Sequence, residues 1–191
     1  MQNNVGIYAS QISGHLYDGP YGAYDSLATV TLSAATSTIT FAGIPSGYKH
    51  LQVRYMASSA SGSANDQIIL RFNGDASSAN YTTHQLQGNG SAASAYGYGT
   101  GGYAGAYLDK ALNGTGTNIF GVGVTDLLDY ANTNKYKTMR SLQGYDANGS
   151  GFITLQSALW LNTGAITSIT AVLNSASNFN IYSSFALYGV K

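Results

Sequence analysis

The densest run of oxygen donors in the chain is Asp146-Ala147-Asn148-Gly149-Ser150-Gly151-Phe152-Ile153. Oxygen-bearing side chains at positions one, three and five, glycine at six and an aliphatic residue at eight follow the opening of a calcium-binding loop. Position twelve is Ser157, where such a loop needs a bidentate glutamate, and the residues after the glycines alternate like a strand. The expectation is a hairpin turn and no metal. The histidines are His15, His50 and His84, and none has a partner at metal-ligand spacing. His50 and His84 can meet only through the fold. All eight acidic residues are aspartates. Asp126 lies near Asp129, and Asp109 is followed by Lys110. A glycosidase needs two carboxylates facing each other across a cleft, which proximity in sequence does not supply. GxSxG, P-loop and dinucleotide-binding patterns are absent. There is no cysteine, so no disulfide and no thiolate metal site. These residues predict neither an enzyme nor a cofactor.

Two stretches have the composition of binding segments. Residues 88–107 read GNGSAASAYGYGTGGYAGAY. Tyrosine set among glycine and serine gives large amphipathic contacts at low entropic cost, the mix that paratopes use. Tyr96, Tyr98, Tyr103 and Tyr107 are the expected contacts. The plainer reading is a flexible, low-complexity loop. Residues 1–25 carry scattered glycines and Tyr8, Tyr17, Tyr21 and Tyr24 without periodicity. They read as a poorly ordered terminus or as an extended arm that docks on a neighbouring subunit. For the arm, Tyr8, Leu16, Tyr17 and Tyr21 are the expected partner contacts.

Composition narrows the partners. Charged residues make up 8% of the chain and the formal net charge is zero. Nucleic-acid binding needs many Lys and Arg to displace counterions, and an anionic membrane surface needs a basic patch. Neither partner is expected. A neutral surface of Ser, Thr, Asn, Gly and Tyr repels itself weakly, which suits a subunit of an assembly better than a monomer. No apolar run approaches the length of a membrane span, and the N-terminus has no basic region leading into an apolar stretch. The four sequons, at Asn80, Asn89, Asn113 and Asn148, are expected by chance in a chain this rich in Asn, Gly, Ser and Thr.

The elements that must position these residues are strands. In 37–55, Ile39 and Phe41 alternate with threonines, a turn holds Gly43, Pro45 and Gly47, and Leu51, Val53 and Tyr55 alternate with polar residues. Period-2 alternation of β-branched and aromatic residues marks a strand with one buried face. The same pattern recurs at 26–32, 66–73, 81–87, 117–128, 136–144, 151–162, 166–173 and 181–190. In 151–162, Ile153, Leu155, Leu159 and Leu161 share one face, and Trp160 lies with Phe152 on the other. Apolar residues on both faces point to a central strand or a subunit contact. About nine or ten strands and no convincing helix predict one all-β domain at 26–191, a jelly-roll-like antiparallel β-sandwich behind the arm. The 37–55 unit is expected to be a hairpin.

Five segments of the chain resemble structural proteins of tailed-bacteriophage virions. They are AYDSLATVTL (23–32), ITFAGIPSGYKHLQVR (39–54), LRFNGDASSANY (70–81), LLDYANTNKYKTMRSLQGYDANGSG (127–151) and YSSFALYGVK (182–191). The resemblance implies a virion component and transfers no functional residues. Two functions follow as expectations. One is a capsid decoration or cement protein, trimeric, bound outside the shell of the major capsid protein and stabilising it. The other is a tail-fibre or receptor-binding head that stacks tyrosines on host-surface glycans. Either places the chain on the virion.

Overall fold

A computed structural model describes residues 22–114 and 118–191. Tyr8, Leu16, Tyr17 and Tyr21 lie outside the described residues. Twelve strands and one 3-10 turn at Ser78–Asn80 form the described part. They are β1 (Tyr24–Thr31), β2 (Thr38–Ala42), β3 (His50–Ala57), β4 (Asp66–Phe72), β5 (Tyr81–Gly88) and β6 (Ala93–Tyr98), then β7 (Ala106–Leu112), β8 (Gly121–Leu128), β9 (Lys137–Asp146), β10 (Gly151–Trp160), β11 (Ser168–Leu173) and β12 (Ser184–Val190).

The strands make two antiparallel sheets, ordered β1-β12-β3-β8-β9-β10-β5-β6 and β2-β11-β4-β7. With the β5–β6 and β9–β10 pairs set aside, the orders are β1-β12-β3-β8 and β2-β11-β4-β7. Two four-stranded sheets wound in this order are a jelly roll. The fold is the expected all-β sandwich of jelly-roll topology. The two additional hairpins enter between β4 and β7 and between β8 and β11. They pair with each other through β10 and β5, and so extend one sheet by a four-stranded wing.

Burial explains the two-sheet core. Leu51, Val53 and Tyr55 of β3 and Phe185 and Leu187 of β12 meet Ile39, Phe41, Ile68, Leu70 and Phe72 of the smaller sheet. At the foot of the wing, the Trp160 ring packs on Phe72 and Tyr81 at centroid distances of 5.6 and 6.5 Å, and its indole N–H donates to Asp75 Oδ2 at 2.8 Å.

Two expectations need correction. The 37–55 unit is not a hairpin: β2 pairs with β11 in the small sheet, while β3 lies between β12 and β8 in the large one. Both strands bury an alternating face, and the turn between them carries the chain from one sheet to the other. Residues 88–107 are not a free loop either. Residues 93–98 are β6, and Tyr107 belongs to β7. Small residues with weak strand propensity become a strand there because β5 supplies the pairing, Leu86 opposite Ala95 and Gln85 opposite Tyr96.

The buried phenols set a limit on alkaline stability. Burial pushes the Tyr55, Tyr81 and Tyr107 hydroxyls well above their ordinary range. A raised folded pKa leaves stability intact below the unfolded value and removes it as pH climbs past that value. Stability should therefore hold to about pH 10, then fall by about 1.4 kcal/mol per pH unit for each such tyrosine. Urea midpoints measured between about pH 9 and about pH 11 check this, with a flat profile as the contrary result. Among the described residues the buried Tyr55 hydroxyl has no hydrogen-bond partner. Tyr55→Phe should raise stability by about 1 kcal/mol and flatten the alkaline limb.

Candidate docking face

The wing is built inside out. Its inner face carries Gln85 and Gln87 from β5, Gln156 and Thr154 from β10 and Gln143 and Ser141 from β9, and continues onto Thr125 of the neighbouring β8, all buried. Its outer face carries Leu86, Leu155, Leu142 and Val124, which the strand register places directly opposite one another across β5, β10, β9 and β8. A second outer row runs Met56, Val122, Gly144, Ile153. Leu142, Leu155 and Ile153 are 53%, 56% and 61% exposed. Alternation fixes which residues share a face, and here the polar set faces inward.

The inner polar layer is held by a connected set of hydrogen bonds to β7. The Gln156 side-chain oxygen accepts from the Asp109 backbone N–H at 3.0 Å and from the Gln143 amide at 2.8 Å, and its own amide donates to the Tyr107 carbonyl. Ser141 donates to Gln143 and shares a 2.9 Å hydrogen bond with Thr125. The Asp109 carboxylate accepts from Gln85 at 2.7 Å and from the Tyr107 hydroxyl at 2.8 Å. Buried amides are tolerated when paired in this way. With the polar residues committed inside, alternation sends the apolar ones to the outside.

The outer rows form a concave face. A groove of about 760 Å³ opens on it, lined among others by Arg54, Val122, Val124, Leu142, Gly144 and Ile153. Gly144 interrupts the second row. A Cβ there would come 2.1 Å from the Phe152 carbonyl oxygen, so the close approach of β9 to β10 requires glycine. One end of the face carries fixed charges. Arg54 lies over the rings of Tyr188 and Tyr24 at 4.7 and 5.2 Å and donates to Gln52 at 2.6 Å. Gln52 and Arg140 both donate to Asp126, at 2.7 and 3.2 Å. An apolar centre with a polar, partnered rim is the anatomy of a protein interface.

The tyrosines of 88–107 do different work. Tyr103 stacks on Tyr107 at 3.5 Å with planes 9° apart, and Tyr98 meets both rings edge-on. Together they cover Ile69 and Val172 on the outer face of the small sheet. Tyr107 is 3% exposed and its hydroxyl is spent on Asp109. Burial is the main cause that pushes the Tyr98 phenol up to about 12. Gly105 closes the path from β6 to β7 at φ 151°, where a Cβ would meet the Ile69 side chain at 2.3 Å. Tyr107 is thus a packing residue rather than a ligand contact, because its ring and its hydroxyl are both already committed. Tyr96 is 45% exposed and is the member of the set most open to solvent.

The remaining candidates fall as follows. Residues 146–153 span the β9–β10 turn at 147–150 and the strand ends that flank it, with Asn148 and Gly149 at positive φ and Asp146 Oδ1 accepting the Asn148 N–H at 2.8 Å. His50 on β3 and His84 on β5 stand apart, with β8, β9 and β10 between their strands. His50 Nδ1 accepts the Asp129 N–H at 3.0 Å. Lys135 pairs with Asp129 and Arg140 with Asp126. Lys137 is buried, and its ammonium donates to the carbonyls of Asn132, Lys135 and Thr163, which fixes the 129–134 turn beside β9. Among the described residues no group of three His, Asp or Glu side chains could hold a metal.

No known family matches the chain, and no curated relative does. One solved structure, a protein of unknown function from Shewanella oneidensis MR-1, is similar over 88% of this chain and 76% of its own, at 10% identity and a TM-score of 0.24.

Proposed function

We propose that the chain is a structural subunit of a tailed-bacteriophage virion, a decoration protein that docks on the outside of the major capsid shell and stabilises it. The observation that carries the docking half of this reading is the outer face of the wing, two register-aligned apolar rows on a chain of zero net charge. Monomeric proteins rarely expose contiguous apolar surface of that kind. The phage half is supported by the resemblance of the five segments.

The mechanism is burial of area across neighbouring shell subunits. A standard contact removes roughly 1,600 Å² from water. A homotrimer engaging three sites at once multiplies weak single contacts into tight attachment. The glycan-binding reading has narrower support, since Tyr98, Tyr103 and Tyr107 pack on one another and leave Tyr96 as the exposed ring.

Electron microscopy of intact virions labelled with an antibody against this chain tests the proposal. Label over the head is the expected result. Label confined to the tail tip moves the chain to the adhesin reading, and virions without label overturn both.

A further inference from the structure

We propose that Lys110 and Gln87 join in an intramolecular isopeptide bond, formed with loss of ammonia and assisted by Asp109, that ties β5 of the large sheet to β7 of the small one. Three groups meet where the wing closes on β7. The Lys110 ammonium nitrogen lies 3.0 Å from the Gln87 side-chain carbonyl oxygen and 3.0 Å from Asp109 Oδ2. A primary amine in contact with both a carboxamide and a carboxylate is the complete reactant set for amide exchange. The amine touches the oxygen of the very carbonyl whose carbon it must attack, so the pair is already gathered.

The surroundings suit the reaction. Gln87 is 7% exposed and the Asp109 side chain 4%. The Lys110 nitrogen sits 5.1 Å from the centre of the Phe152 ring and 6.0 Å from that of Tyr96, and its side chain is 22% exposed. Asp109 is held in place by Gln85 and by the Tyr107 hydroxyl. The leaving amide nitrogen of Gln87 is fixed by a 3.1 Å hydrogen bond to Ser94 Oγ. Lys110 itself adopts φ 48°, a left-handed backbone unusual for a residue with a side chain, at the irregularity where the β4–β7 register shifts. That conformation turns the lysine out of the strand alternation and toward β5.

The step balances without a co-reactant. Asp109 accepts a proton from the Lys110 ammonium, leaving a neutral amine. The amine nitrogen attacks Gln87 Cδ and forms the new C–N bond. Asp109 moves a proton from that nitrogen to the departing Nε2 as the old C–N bond breaks. Ammonia leaves and takes up the remaining proton as ammonium, and Asp109 is again a carboxylate.

Mass spectrometry of the denatured full chain, followed by peptide mapping, decides the matter. The expected mass is lighter than the sequence mass by one ammonia. Trypsin should fail to cut after Lys110, and chymotryptic cleavage at Tyr96 and Tyr98 should leave the Gln87 and Lys110 peptides joined. Asp109→Asn and Lys110→Arg should each restore the full mass and separate the peptides. Separate peptides from the wild-type chain overturn the proposal, as does an ammonia deficit that maps to the N-terminus or to an asparagine. An Asp109→Asn chain that still links removes Asp109 from the reaction. If that variant fails to fold, the wild-type map and Lys110→Arg decide alone.

Discussion

A Leu142→Asp/Leu155→Lys double variant is expected to fold like the parent chain and to lose shell binding by about 100-fold or more. Both side chains are more than half exposed, so their replacement costs the monomer little. They face each other directly across β9 and β10, so the new charges form a cross-strand pair that keeps the strands together and the net charge at zero. At an interface the same pair must be stripped of water. Two leucines contribute about 3 kcal/mol when fully covered, and uncompensated burial of charge costs more. The measurement is co-sedimentation with shells assembled without this chain, alongside a urea midpoint. Undiminished binding would remove the wing from the docking surface. A stability lowered by several kcal/mol, read from that midpoint, would show that these leucines support the fold instead, contrary to their exposure.

The strands themselves were readable because alternation is a local property. Ile39 and Phe41 in β2, Ile68, Leu70 and Phe72 in β4 and Ala28 and Val30 in β1 share the faces that their spacing predicts. What alternation omits is direction. In β10 the pattern separates Ile153 and Leu155 from Thr154 and Gln156, and the usual inference puts the aliphatic pair inside. The structure does the reverse, because Asp109 and Tyr107 of β7 offer partners to Gln156 from more than forty residues away in sequence. A weak local signal existed: Gln85 with Gln87, Ser141 with Gln143 and Thr154 with Gln156 are in-phase neutral residues, while the charged Arg140 sits on the opposite face. The expectation of a central strand or a subunit contact for 151–162 fits β10, which lies between β9 and β5.

Two strands were hidden for a different reason. β6 is Ala-Ser-Ala-Tyr-Gly-Tyr, whose small residues carry no alternation in hydropathy. β7 buries nearly every residue, since one face meets the core and the other meets the tyrosine stack and the amides of the wing. Neither shows period 2, so the Gly/Tyr segment read as a loop. The same gap concealed the candidate reactive group. Asp109 and Lys110 are adjacent in sequence and look like a surface ion pair, and only the bend at Lys110 brings them under Gln87.

The inverted wing makes a second strong prediction, on stability. Gln156→Leu removes the shared partner of three buried groups: the Asp109 N–H, the Gln143 amide and the Tyr107 carbonyl. Gln156 is 2% exposed, so water does not replace what is lost. At about 1–3 kcal/mol for each stranded group, less a gain of about 1–3 kcal/mol from a buried leucine, the cost is about 2–6 kcal/mol. That is a large part of the stability of an ordinary domain. Ser157→Ala, the next residue on the same strand but facing outward, should stay within about 0.5 kcal/mol. Urea unfolding of the two variants and the parent measures the contrast. If the leucine variant yields no folded protein, Gln143→Ala asks the same question more gently, since it frees one acceptor on Gln156 and the Ser141 hydroxyl while leaving the bonds to β7. A Gln156→Leu chain as stable as the parent would mean that the amide layer does not hold the wing on β7. The outward display of Leu142 and Leu155 would then need another cause. A loss of the expected size ties the apolar face to the amides behind it: the polar residues inside are what keep the leucines outside.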